Sequence, residues 1–128
     1  SSWESGGETF LYSDHFSGFS LFMSRLNSHT EVSLKCASAI GAALRVAGFA
    51  PSRYHADPIV GENRPFADEA NGVHYFDNLA VLKTASIPAL LFEAGVIVNR
   101  DEELRMRNPA VRKRIAEAIG NAVGACLG

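Results

Sequence analysis

The sequence predicts an α/β fold, and three stretches carry that prediction. Ile87–Phe92 (IPALLF) is a short, continuously apolar run bounded by Ser86 and by Glu93-Ala94-Gly95. That is the pattern of an interior strand in a mostly parallel sheet. Val32, Cys36, Ile40, Ala43, Leu44 and Ala47 recur at three- and four-residue spacing, which predicts a helix over 31–47 with one apolar face. Val111, Ile115, Ile119, Ala122, Val123 and Cys126 repeat that spacing and predict a last helix over 109–126.

The remaining elements follow in chain order. Residues 1–9 hold Ser, Gly and Glu around a single Trp and read as loop. Phe16–Ser24 (FSGFSLFMS) sets Phe19, Leu21 and Met23 against Ser20, Phe22 and Ser24, the alternation of a strand with at least one buried face. Asn27-Ser28-His29-Thr30 supplies cap chemistry before the 31–47 helix. Gly48, with Pro51 shortly after, stops it. Residues 51–72 read as a long loop with a short strand at Ile59-Val60, and His55, Asp57, Glu62 and Arg64 lie there among three prolines and two glycines. Loops of that length are usually functional or disordered, which makes this one a candidate rim. Val73–Phe76 reads as a short strand or turn, Asn78–Thr84 as a strand or helical turn, and Val96–Val98 as a loop or edge segment. Asp101–Arg107 (DEELRMR) places acids first and bases last, matching the macrodipole of a short helix. Asn108-Pro109 is an N-cap followed by proline at the first helical position.

A chain of 128 residues fits one domain over 1–128 with an adequate core. Twelve Lys+Arg against fourteen Asp+Glu give a net charge of −2, which excludes a generally basic nucleic-acid binder. No apolar stretch approaches the length of a membrane span. Ser1–Ser5 has neither the basic nor the apolar region of a signal peptide, and the chain begins without Met, as a trimmed or mature form does. Cys36 and Cys126 both fall on the apolar helical stripes, so buried free thiols are the favoured reading. A single bridge between them is the alternative in an oxidising compartment.

Glu93 is the outstanding candidate for chemistry. It follows Phe92 at the carboxyl end of the strongest predicted strand, and ligands of open α/β sheets bind beyond the carboxyl ends of strands. A carboxylate among Leu91, Phe92 and Ala94 is placed for the partial desolvation that a general acid or base needs. Pairing with a nearby cation is the plainer reading from position alone. The histidines, His15, His29, His55 and His74, include no pair at His-x-His or His-x-x-x-His spacing, so the sequence contains no local metal clip. Ser13-Asp14-His15 prints a triad, but adjacent residues cannot converge on one reacting atom. Gly18-Phe19-Ser20 lacks the second glycine of a nucleophile elbow, and Cys36 on a helical core stripe is a poor nucleophile. Arg64 is a candidate for holding a substrate carboxylate bidentately, with pairing to Glu62 or Asp68 as the plainer alternative.

Thr84–Leu104 (TASIPALLFEAGVIVNRDEEL) resembles the end of the catalytic domain of zinc-dependent N-acetylmuramoyl-L-alanine amidases of the amidase-3 type. Val81-Leu82, Pro88–Glu93, Gly95, Asn99, Glu102 and Glu103 fit that family's closing pattern. The Phe19–Ser24 strand, the 31–47 helix, the polar loop and the final helix also come in the family's order, so the resemblance covers most of the chain. It implies a mixed, mostly parallel α/β sheet flanked by helices, here without the family's N-terminal strands and first helix. It further implies hydrolysis of the amide between N-acetylmuramic acid and L-alanine in peptidoglycan, with zinc polarising the carbonyl and lowering the pKa of its bound water. Glu93 matches the glutamate that activates that water.

The family's D-x-G-H-G-G segment and first helix have no counterpart in the sequence, so the resemblance places the zinc ligands upstream of residue 1. Ser13-Asp14-His15 and His55-Ala56-Asp57 copy letters of the family's second histidine motif. Similar sequences set a Tyr-Ser-Asp-basic-Phe-Ser-Gly stretch downstream of the metal histidine, which puts His15 at the basic position. The expected partner is peptidoglycan and the expected location is the cell envelope, periplasmic or secreted. Taken alone, the chain is expected to bind zinc poorly and hydrolyse little. The rival reading is a non-catalytic peptidoglycan-binding or scaffold domain that kept the fold without the metal site. A weaker third is a hydrolase with another metal constellation among His15, His55, His74 and Glu93.

Overall fold

The computed structural model describes residues 2–5, 8–11, 17–52, 64–95 and 99–127. The alternating apolar stretch forms strand β3 (Ser20–Met23), and all four of its residues are buried. A strand buried on both faces belongs inside a sheet. Here β3 lies between β5 (Val73–Tyr75) and β6 (Leu91–Glu93), with β4 (Phe66–Asp68) beyond β5. Leu21 stands opposite Val73 in the parallel β3–β5 pair, and Ser20 opposite Glu93 in the antiparallel β3–β6 pair. β4 and β5 are antiparallel, with a register shift between Phe66 and Asp68. The sheet is therefore mixed and flanked by helices, as the resemblance implies. The balance of directions in the described four-stranded sheet differs from expectation: one of its three strand pairings is parallel.

The Ile87–Phe92 run also differs from its prediction as an interior strand. Only Leu91–Glu93 is strand, and β6 lies at the edge of the described sheet, where Leu91 is 41% and Ile87 67% exposed. Continuous apolarity records hydrophobic content but not how many neighbours a strand has, so the run alone could not distinguish centre from edge. Two further differences concern short elements. Residues 1–9 were expected as loop, yet Ser2–Ser5 (β1) and Glu8–Leu11 (β2) pair antiparallel, with Trp3 opposite Phe10. Four-residue strands of Ser/Glu-rich composition carry too little apolar alternation to be read from sequence. The expected 51–72 loop contains β4, whose three residues are too few to show a period. The expected strand at Ile59-Val60 lies outside the described residues.

The predicted helices form nearly as expected. α1 runs from Thr30 to Val46, but its N-cap is His29, which makes no side-chain cap bond. The cap residues act elsewhere: Thr30 Oγ1 donates to Ser24 O and Ser33 Oγ to His29 O. At the other end Phe49 N–H reaches Leu44 O and Gly48 N–H reaches Arg45 O, a Schellman closure for which Gly48 adopts φ 97°. α2 (Ala80–Lys83) resolves the ambiguous 78–84 stretch as a helical turn. α3 (Arg100–Arg107) is capped by Asn99, whose side chain accepts from Glu102 N–H. α4 (Pro109–Leu127) is capped by Asn108 Oδ1, which accepts from Ala110 N–H.

α1 and α4 pack antiparallel. Arg114 Nη2 donates to Ala47 O at one end, and Cys36 bonds to Cys126 at the other, with a Cα–Cα distance of 5.4 Å. The preferred reading of two free thiols is thus corrected. The two stripes that bury the cysteines face each other, and that shared burial brings the sulfurs together. Leu21, Met23 and Val73 from the sheet join Ala37, Ile40 and Leu44 of α1 and Ile115 and Ala122 of α4 in one core. Among the described residues, no helix is long and apolar enough to cross a membrane.

The disulfide joins residues 90 apart in sequence, so it removes much of the unfolded chain's freedom. Replacing both cysteines by alanine should lower stability by about 2–5 kcal/mol, measured by denaturant unfolding. An unchanged midpoint on reduction would show that the bond adds nothing. At the far end of β3, Arg25 Nε and Nη2 donate to Asp77 Oδ2 at 2.9 and 2.5 Å, and Arg25 N–H donates to Oδ1 at 2.7 Å. The Arg25 side-chain hydrogen bond holds the Asp77 carboxyl below the usual carboxylate range, against burial that raises it. A depressed pKa gives stability that is present above the unfolded value and lost as pH falls through the folded one. The stability gap between wild type and Asp77→Asn should therefore be full at neutral pH and close as pH drops below about 4. Urea titrations at several pH values check this; a gap constant down to pH ~2 contradicts it.

Candidate active site

Glu93 ends β6, half-buried, opposite the buried Ser20 of β3. Because β6 is antiparallel to β3, the carboxyl end of β6 lies at the amino ends of β3 and β5. The candidate site therefore lies at one end of the edge strand of the described sheet.

Polar side chains from the connection between β3 and α1 hold the segment leading to Glu93. Asn27, 3% exposed, donates through Nδ2 to Leu82 O at 2.9 Å and to Ala85 O and Ile87 O at 3.2 Å. Its Oδ1 accepts from His29 N–H at 2.7 Å. Ser33 Oγ accepts from Ala89 N–H at 3.0 Å, and a ring nitrogen of His29, Nε2, donates to Ser86 O at 3.1 Å. These bonds replace the ladder that Ile87–Leu90 would otherwise need, and they explain why Asn27 serves here and not as a helix cap.

Beyond Glu93 the chain meets a buried carboxylate. Glu102 of α3 is 7% exposed, and its Oε1 accepts from Gly18 N–H at 3.1 Å. Arg105 Nη1 lies 4.0 Å from the same oxygen. Gly18 (φ 99°) lies just before β3, and a Cβ there would come within 2.6 Å of Ala50 O, so glycine is required. Gly18, Phe19, Phe49, Ala94, Glu102 and Arg105 line a cavity of about 100 Å³, of which Glu93 itself is not a lining residue. Sequence reasoning placed Glu102 only as part of a motif. The Asn99-x-x-Glu102 spacing, a capping-box pattern, was the available signal for its helix position, but not for its reach to Gly18.

The other candidates do not join Glu93. His74 is fully buried on β5, its ring stacked 4.3 Å from Phe66 and 5.4 Å from Phe22. Its Nδ1 donates to Arg64 O at 3.1 Å. Glu93 is two strands across and two residues along, roughly 12 Å between Cα atoms by strand geometry, with Phe22 between them. That separation removes the His74–Glu93 part of the third metal reading. Arg64 stacks 3.8 Å over Phe76, beyond the opposite corner of the sheet from Glu93, and Asp68 accepts from Asn71 at 2.7 Å. His15 and His55, with Asp57 and Glu62, lie outside the described residues. Among the described residues no three His, Cys, Asp or Glu form a metal-holding group. These residues do not fit a zinc ion.

A mixed sheet with helices packed on it defines an α/β domain, and the candidate carboxylate lies at the end of the edge strand of its described sheet. The sequence matches the N-acetylmuramoyl-L-alanine amidase family, Amidase_3, over residues 10–125, and the chain belongs to that family. Its fold resembles that of solved amidases. The N-acetylmuramyl-L-alanine amidase Ami1 from Mycobacterium smegmatis matches with a TM-score of 0.73 at 23% identity, covering 92% of this chain and 50% of that one. The apo form of Ami1 from Mycobacterium abscessus gives 0.70 at 23%, covering 92% and 51%. The CwlD amidase from Clostridioides difficile, in complex with the GerS lipoprotein, gives 0.63 at 20%, covering 93% and 51%. At these identities the likeness is one of fold. The chain spans about half the length of these solved structures. No curated protein matches it.

Asn27→Ala would leave buried carbonyls of the segment before β6 without their donor. The variant should lose roughly 1–3 kcal/mol of stability, and amide exchange should quicken selectively over residues 85–93. A wild-type exchange pattern there would show that Asn27 does not hold the segment.

Proposed function

We propose that this chain contributes the carboxylate base of a peptidoglycan amidase that hydrolyses the bond between N-acetylmuramic acid and L-alanine. The observation that carries the reading is Glu93 itself. It lies within the matched family region, half-buried at the end of β6, the edge strand of the described sheet. A carboxylate held by backbone pairing to Ser20 can take a proton from an attacking water and return it to the leaving amine, the work of a general base and then acid. Zinc is expected for the reaction by resemblance, with ligands outside the described residues. Arg64 lies too far from Glu93 to act at the same bond, so a role on substrate would be at a distant part of it. The proposed place of work is the cell envelope, where peptidoglycan lies.

Glu93→Gln in the intact protein should lower the turnover of muropeptide amide cleavage by about 10²–10⁴-fold, with thermal midpoint and zinc content unchanged. Chromatography of released stem peptide measures it. Undiminished turnover would remove the assigned role. A wild-type protein that binds peptidoglycan but releases no peptide would favour the scaffold reading instead.

A further inference from the structure

Glu102 is a buried charge that the proposed reaction does not use. Ionised groups leave water only at a cost, so a carboxylate at 7% exposure needs compensating partners. Its partners connect three pieces of chain. It lies in the first turn of α3, where the helix dipole favours negative charge. Oε1 accepts from Gly18 N–H, which fixes the chain just before β3. Oε2 lies against Gly95, two residues after Glu93, so close that a Cβ added at Gly95 would collide with it. Gly95 is not among the glycines with positive φ in the described chain. Its backbone conformation does not call for glycine; a larger residue there would instead have to displace the Glu102 carboxylate.

We propose that Glu102 is a positioning residue for Glu93. Its carboxylate ties the segment before β3 to α3 and packs against Gly95, which sets the path of the chain leaving Glu93 and hence the direction of the Glu93 side chain. This inference rests on the reading of Glu93 as the base. A shift of about 1 Å in such a group costs up to about a hundredfold in rate, although Glu102 itself touches neither substrate nor reacting atoms.

The coupling predicts a non-additive pair. In the intact protein, Glu102→Ala should lower kcat for muropeptide amide cleavage about 10- to 100-fold while KM changes less than about threefold. Gly95→Ala should also lower kcat, because the new methyl displaces the carboxylate. The double variant should be no worse than Glu102→Ala within about threefold, since the methyl then enters vacated space. Glu102→Gln keeps an oxygen for Gly18 N–H and should stay closer to wild type than Glu102→Ala. Losses that multiply in the double variant, or a wild-type kcat in Glu102→Ala, would overturn the proposal. Backbone amide NMR shifts in the unliganded protein give a second readout that does not need turnover. Glu102→Ala or, should that variant fail to fold, Glu102→Gln should move the signals of Gly18 and Glu93–Gly95 while leaving Ala37 in α1 in place. Unmoved Glu93 and Gly95 signals overturn the proposal. A wild-type protein that releases no peptide removes only the catalytic reading of Glu93, because the shift test still decides the coupling.

Discussion

Burial of β3 on both faces is the constraint on which the other described elements depend. Leu21 and Met23 face the core shared with α1 and α4, while Phe22 faces the stack it forms with His74. A four-residue strand cannot satisfy this alone. It requires β5 and β6 as hydrogen-bonding neighbours and two helices as an apolar layer. Gly18 and Asn27 lie at its two ends, and both are fixed by what β3 needs: a close approach to Ala50 on one side and an ordered connection to α1 on the other.

That constraint also sets which side chains of the described sheet are reachable. The central strand is too well covered to present a side chain, whereas β6 at the sheet edge leaves Glu93 half-buried. An edge strand of three residues has few ladder bonds of its own. Its approach is supplied by side chains, Asn27 and Ser33, and its exit lies against the buried carboxylate of Glu102. Polar groups placed inside the protein in this way are directional, while hydrophobic contact is not. They therefore give a strand end a defined orientation that apolar packing would leave loose.

Much of the fold was legible because long periodic segments report their own structure. α1 and α4 were visible from apolar spacing, and their ends from Gly48 and Asn108-Pro109. Short elements were not: β4 and β6 have three residues each, too few for a period, and the β1–β2 pair was hidden in polar composition. Glu93 was readable from a local motif at a strand end. Asn27, which holds the approach to its strand, acts across 60 residues of sequence, and Glu102 reaches Gly18 before β3 across 84; no local pattern reports such reach.

By itself the sequence determined which segments are helical, which strand is most apolar, the family pattern around Glu93 and the absence of a local metal clip. These depend on residue type and spacing within one element. Only the tertiary structure decided that β6 lies at the edge of the described sheet, that one of that sheet's three strand pairings is parallel, and that Cys36 meets Cys126. It likewise decided that Glu102 reaches Gly18 and crowds Gly95. Each of those facts is a relation between distant segments, and it comes from the requirement that all apolar faces be buried at once with their polar groups paired.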